Sequence, residues 1–372
     1  MYCEDGIFMV AISFTDALVY GSNIAWIVLI VFIFAYNQRL QIFLSLRSVN
    51  KSLVKIESWN KEAKDKFFSL LKERGASDAL LTTEANAMVN TFVIEPVNMD
   101  PKGIISKIDN VVHNYEEFFK AKIRRMLPAV NEVDLYNLSD VAEASLVLNE
   151  IYKQIRHYYL SAKKYHDYYS LVLLQMQMPM IMEVAEAYYG AIPALSKGTS
   201  IGDAVGPLVI TQLAGAAEFK PIVKETVVAE STVEERKAIL IKAKGPGGTV
   251  GRPGEAIKKA VESYNINYII TVDAGLKLEG ENSGQTIEGY GVAIGGPGTD
   301  KFFVEESATA RKIPMYVVII KMSEKEAIGE MTDAVRRASL DAINKVKMIV
   351  RERTSKDDVV LIAGIGNTMG VS

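Results

Sequence analysis

Apolar and polar positions divide the chain into three textures. The first is an unbroken apolar run: residues 17–38, between Asp16 and Arg39, are 22 positions without a charge, centred on "IAWIVLIVFIFAY" at 24–36. A helix needs about 20 apolar residues to cross hydrocarbon, so this run predicts a transmembrane helix. The second texture, about 51–192, repeats apolar residues at helical spacing. In "KSLVKIESWNKEAKDKFFSLLKERG", Leu53, Val54, Ile56, Trp59, Phe67, Phe68, Leu70 and Leu71 sit among charges, and Gly75 supplies a stop. Further helices are expected between Pro101 and Pro128, over about 138–169, and over "SLVLLQMQMPMIMEVAEAYYGAI".

From about 198 the period changes. Short apolar runs, "ETVVAE", "AILIKA", "YIITVD", "MYVVII" and "DVVLIA", alternate with helical patterns. In "EAIKKAVESY", Ala256, Ile257, Ala260, Val261 and Tyr264 share one face, and a longer helix is expected after Ser323, whose capping-box partner is Glu326. Strands alternating with helices predict an α/β domain, a three-layer, mostly parallel sheet covered on both faces. The expected organisation is therefore a short N-terminus 1–16, a membrane helix 17–38, a helical region 39–197 and an α/β domain 198–372.

Charge orients the membrane helix. Glu4, Asp5 and Asp16 precede it, whereas Arg39, Arg47, Lys51, Lys55, Lys61 and Lys64 follow. The positive-inside rule then puts the N-terminus outside and the body in the cytoplasm. A cleaved signal peptide would want a basic leading region and a shorter apolar stretch. With 42 basic against 45 acidic residues and no compact basic patch, nucleic acid is not an expected partner. A lone cysteine, Cys3, excludes an intramolecular disulfide framework and a Cys-based metal site. His113, His157 and His166 show no metal spacing, and Met176, Met178, Met180 and Met182 read as packing.

In an α/β sheet, ligands bind beyond the carboxyl ends of the strands, so the residues just after each apolar run are the candidates. Four places qualify. "SIGDAVGPLVITQLAG" sets Asp203 ahead of a helix, with Gly206 followed by Pro207 at its expected first position; "KGPGGTVGRPGEAI" is a loop rich in glycine, with Gly245, Pro246, Gly247, Gly248 and Gly251. "TVDAGL" ends a buried strand on Asp273, and "IGGPGTDKFFVEE" supplies Gly296, Pro297, Gly298, Asp300 and Lys301. Each has an ordinary structural reading: Asp203 as a helix cap is worth about 1 kcal/mol, and glycine loops often just make tight turns. The G-x-x-x-x-G-K-[ST] spacing of a phosphate-binding loop is absent, and no cofactor or metal is expected.

The order of these motifs resembles the superfamily of the spore germination protease and the hydrogenase maturation peptidases. "DAVGPLVITQL" is similar to that family's Asp-x-x-Gly-Pro helix start, "KGPGGTVGRPGEAI" to its glycine loop, "YIITVDAGL" to its strand ending Asp-Ala. "TIEGYGVAIGGPGTDKFFVEESATARKIPMYVVII" is similar to its Pro-Gly-x-Gly turn and Ile-Pro strand, so the match covers about 199–322 in collinear order. In that superfamily a strand ending Gly-x-Gly-Asn comes first, whereas here "VVLIAGIGN" ends the chain, with Gly366 and Asn367. The resemblance thus implies a circularly permuted phosphorylase/hydrolase-like fold whose last strand brings Gly366 and Asn367 towards Asp203.

The resemblance further implies peptide hydrolysis by Asp203 and Asp273, one activating water and the other protonating the leaving amine. The nickel-dependent branch fits poorly, because no histidine lies in 198–372. The layout also resembles an archaeal family of single-pass membrane proteins, which implies a location and no activity. Two functions follow as expectations: a membrane-tethered peptidase or amidohydrolase acting on a peptide or protein, or a non-enzymatic membrane-bound scaffold that forms homo-oligomers.

Overall fold

The computed structural model describes residues 14–92, 94, 96, 103–165, 167–296 and 298–372, and of the side chains at 14–21, 24, 34–36, 38 and 39 nothing is described. Helix α1 (Phe14–Glu73) is continuous, so the apolar run and the first charged helical segment are one element. Gly75, at φ +99°, ends it, in a backbone conformation that residues with a Cβ avoid. Among the described residues no helix is long and apolar enough to cross a membrane. Several side chains of the expected span 17–38 are not described, and Pro101, His166 and Pro297 lie outside the described residues.

After a run of short helical turns over 78–88, three more long helices follow: α2 (Ile104–Met126), α3 (Glu132–Tyr165) and α4 (Tyr168–Lys197). Helix α3 starts several residues before the hydrophobic pattern does. Asn131 Oδ1 accepts the Asp134 amide at 2.8 Å and caps it, a polar device that an apolar period does not reveal.

The chain divides into two compact units. One comprises the described part of Met1–Val54 with Gln154–Pro179, that is, α1 as far as Val54 and the hairpin joining α3 to α4. The other comprises Lys55–Lys153 and Met180–Ser372. It holds the remaining helical segments together with α5 (Val205–Ala214), β1 (Lys220–Val223), β2 (Thr226–Val233), β3 (Arg236–Ala243), α6 (Pro253–Ser263), β4 (Tyr268–Leu276), β5 (Thr286–Tyr290), α7 (Thr299–Ala310), β6 (Met315–Met322), α8 (Asp333–Arg353) and β7 (Val359–Gly364).

These strands form one sheet in the order β1-β2-β3-β7-β4-β6-β5. The five apolar runs are β2, β3, β4, β6 and β7; β1 and β5 are additional. The sheet is mixed, which corrects the expectation of a mostly parallel one. Only β3, β7, β4 and β6 run parallel, while β1, β2 and β5 pair antiparallel. The β2–β3 hairpin turns on Glu234 and Glu235 at φ +47° and +65°. That geometry is usually signalled by Asn-Gly or Asp-Gly, so two glutamates hid the hairpin.

The last strand is central. Ala363 of β7 pairs with Ile241 of β3 on one side and Thr271 of β4 on the other. On one face Ile239, Ile241, Leu361 and Ala363 pack under Ile257 and Ala260 of α6 and Val304 of α7. Helices α5 and α8 cover the other face. The Ser323–Glu326 capping box is present, but it starts only the five-residue turn Glu324–Ile328. Gly329 interrupts that turn and its carbonyl accepts the Gly202 amide at 3.1 Å; the long helix begins at Asp333, capped by Thr332.

Candidate active site

Three chain segments meet at the carboxyl end of the central strands. The Ile365 amide leaves β7 by donating to Val272 O of β4 at 2.8 Å, so the residues that follow, Gly366 and Asp273, are neighbours. Gly206, in the first turn of α5, closes the arrangement: a Cβ there would lie 2.2 Å from Ile365 O and 2.7 Å from Val272 O, so only glycine admits this approach. Pro207 is the third helical residue rather than the first, because α5 begins at Val205 after a tight turn over Gly202–Ala204. It still lies in the first turn, where no intrahelical donor is lost.

Asp203 sits in that tight turn. Its Oδ2 accepts the Asn367 amide at 2.7 Å, and Gly366 bends the chain to deliver that amide at φ +129°, with no room for a Cβ against Asp203 O. Burial raises the Asp203 carboxyl, and the Asn367 N–H opposes the shift. Asp273, only 6 % exposed, ends the buried part of β4. Its proton affinity is raised well above normal by burial first and by the Asp203 charge second, against the pull of the Ala274 and Gly295 amides. No lysine or arginine contributes to either shift. Asp203 also lines a cleft of about 270 Å³ with Ala274, Gly275, Leu276, Met322 and Ser323.

The glycine-rich loop lies elsewhere. Gly248 N donates to Asn137 Oδ1 of α3 at 3.2 Å; a Cβ on Gly247 would meet Tyr136, and one on Gly248 would meet Asp140. Gly245, joined to Pro246 by a cis peptide, packs against Val371 O, while the Pro246 carbonyl accepts the Gly370 amide at 3.0 Å. Gly251, at φ +64°, turns the chain towards α6. These residues dock the helical segments and the chain end. Asp300 is also remote in role: its Oδ1 accepts the Gly254 amide at 2.7 Å and occupies the start of α6. Lys301 is exposed and reaches only Glu305, at 3.7 Å. Gly296 and Gly298, both at positive φ, stand in open space.

Asn367 connects this site to a second cleft. Its side-chain amide donates to Asp140 Oδ2 at 3.0 Å, and its Oδ1 accepts the Met369 amide at 2.9 Å. The cleft, about 260 Å³, is lined by Tyr115, Glu116, Lys120, Tyr136, Asp140, Glu143 and Thr249 among others. Solvent reaches its acids through the opening, yet the crowd of protein around them dominates: burial raises Asp140 and Glu143, and raises Glu116 to about 7. The sequence reading missed this wall. Its trace was Asp140 and Glu143 at a three-residue spacing inside the stretch Leu138 to Ala144, where Ser139 is the other polar residue. Among the described residues no group of three or more His, Cys, Asp or Glu is placed to hold a metal.

The fold and site define a class: a mixed α/β sheet with a pair of acidic residues at its strand ends and helices of the N-terminal half packed against its loops. Two family models cover nearly the whole chain, one described as "Protein of unknown function (DUF1512) N-terminal domain" over residues 23–198 and one as "Domain of unknown function (DUF1512) C-terminal" over residues 201–372. The chain belongs to the DUF1512 family. A comparison with curated proteins finds no match.

Proposed function

We propose that this protein is a membrane-anchored hydrolase of peptide or other amide bonds, working through Asp203 and Asp273. One observation carries the reading: two carboxyls at the strand ends, one raising the proton affinity of the other, with no basic group contributing to either shift. A pair so coupled resists ionising both acids at once, so one proton stays on it. Asp273, enclosed and raised further, keeps it and is the general acid that protonates the leaving nitrogen. Asp203, facing the open cleft, is the base that takes a proton from the attacking water. The resemblance to the germination protease superfamily supports the same assignment. The central place of β7 fits a circular permutation of that fold, since Gly366 and Asn367 arrive beside Asp203.

The anchor is the second half of the proposal. Residues 17–38 carry no charge, every described side chain from 25 to 33 is exposed, and basic residues follow. A helix surface of that character is stable in lipid. The body then faces the cytoplasm.

The test uses the full chain in detergent. Wild type, Asp203→Asn and Asp273→Asn are incubated with a peptide library, and cleavage is followed by mass spectrometry. Cleavage by wild type that is lost in both variants, with circular dichroism unchanged, is expected. Cleavage that survives either substitution would remove the aspartate pair from the chemistry. A wild type inert throughout would favour the scaffold that forms homo-oligomers.

A further inference from the structure

The hairpin between α3 and α4 ends in a turn whose chemistry is unlike that of the helices beside it. Helix α3 stops at Tyr165 and α4 starts at Tyr168, with Asp167 Oδ1 accepting the Ser170 amide at 3.1 Å. Behind the turn, Ala162, Leu171 and Leu174 are buried. On its outside, Tyr165 is 67 % and Tyr169 80 % exposed, so two phenols project from a hairpin whose own core is already filled.

Position gives these phenols a meaning. Tyr168 donates its hydroxyl to Gln41 Oε1 of α1 at 2.6 Å. Gln41 is three residues past the end of the uncharged run, a distance of about 4.5 Å along a helix rising about 1.5 Å per residue. The tip of the hairpin is therefore level with the point where charges resume on α1 after its apolar run. Charge agrees: from Gln154 to Tyr169 the hairpin carries Arg156, Lys163 and Lys164 against Asp167 alone. Lys163 and Lys164 are exposed, and the Lys164 ammonium lies 4.9 Å from the centre of the Tyr165 ring.

We propose that this hairpin tip is a second membrane contact, with Tyr165 and Tyr169 lying in the headgroup layer and Lys163 and Lys164 facing anionic lipid phosphates. The proposal rests on the anchored reading of residues 17–38. Tyrosines that are apolar in the ring and polar at the tip concentrate at membrane interfaces, and nearby lysines reach headgroups. Farther along α4, exposed Leu173, Met176 and Met180 continue from Tyr169 at heptad spacing and would suit a second copy, but no lysine lies beside them; at the tip lysines flank the phenols, which favours headgroups. A two-point contact would fix the rotation of α1 about its axis, which a single helix leaves free.

The experiment uses the full chain in vesicles of equal parts phosphatidylcholine and phosphatidylglycerol. In a Cys3→Ser background, Tyr169→Cys carries an environment-sensitive fluorophore, and Val54→Cys, 56 % exposed on α1, is the reference. Spin-labelled lipid is expected to quench the label at 169 roughly threefold more than the label at 54, which lies about 24 Å along α1 from residue 38. Equal quenching of both labels by aqueous iodide, with the chain still floating with vesicles, would overturn the tip contact and leave the anchor standing. A label at 169 shielded from both quenchers would overturn it in favour of a second copy. A chain that fails to float would remove the anchor, and the tip contact with it.

Discussion

Two groups of acids within the larger compact unit face the same physical problem and answer it in opposite ways. Glu225, on the turn between β1 and β2, is largely buried, yet its carboxyl is held below the usual range: burial pushes it up, and the hydrogen bond and charge of Lys120 outweigh that. Lys120 Nζ lies 2.7 Å from Glu225 Oε1, and Thr249 donates to Oε2 at 2.9 Å. Asp203 and Asp273 have no such cation, and both are raised. Where an acid ties the helical layer to the sheet, the fold supplies a counter-charge. At the strand ends it leaves a proton in place. The contrast separates a carboxylate used as a fastener from a carboxyl pair suited to chemistry.

The largest way to break the contrast is to make Glu225 resemble Asp273. Lys120→Met leaves a buried carboxylate without its cation, and a loss of about 3–5 kcal/mol is expected in urea unfolding. The pH dependence sharpens this. Because the folded Glu225 carboxyl is lowered, its stabilisation is present above the unfolded value, about pH 4.3, and is lost as pH falls through the folded one. The Lys120→Met chain should lose that acid-side slope.

Asp273 should behave with the opposite sign. Its folded carboxyl is raised, so its contribution is full below the unfolded value, about pH 3.9, and is lost as pH rises through the folded one. Asp273→Asn is thus expected to stabilise the protein at neutral pH by on the order of 1 kcal/mol, while abolishing the proposed hydrolysis. A variant less stable than wild type at pH 7, measured by the same urea titration, would show that the carboxylate is held as an anion after all.

The smallest effect belongs to the link between the two clefts. Asn367→Ala keeps the backbone amide that serves Asp203 and removes the amide that serves Asp140. A loss of about 1 kcal/mol is expected, with Asp203 keeping its raised carboxyl in a carbon-13 titration. A shifted Asp203 titration in Asn367→Ala would mean that Asp140 acts through Asn367 on the pair.

Much of this was legible along the chain because it follows from local rules. Five apolar runs became five strands, and Asp273 and Asp203 were singled out as candidates because one ends such a run and the other stands just ahead of a helix. The capping box of Ser323 and Glu326 was legible too, but not how short its helix would be, since Gly329 is drawn into a bond with Gly202. Strands β1 and β5 escaped notice because they are short, partly exposed edges with little apolar signal. The loop from Gly245 to Gly251 looked like a ligand cradle, because glycine marks any close approach of backbone. Whether a ligand or α3 makes that approach is not written in the glycines.

The sequence by itself therefore determined the apolar N-terminal run, the helical and strand periods and the candidate aspartates ahead of α5 and at the end of β4, since each depends on residues near one another in the chain. Only the tertiary structure decided that the last strand is central, that Asn367 joins Asp203 to Asp140, and that Lys120 neutralises Glu225. Those pairs are separated by 227 residues for Asn367 and Asp140 and 105 for Lys120 and Glu225. Contacts at that range are selected by packing and by the cost of leaving a buried charge or donor alone, which no local pattern records.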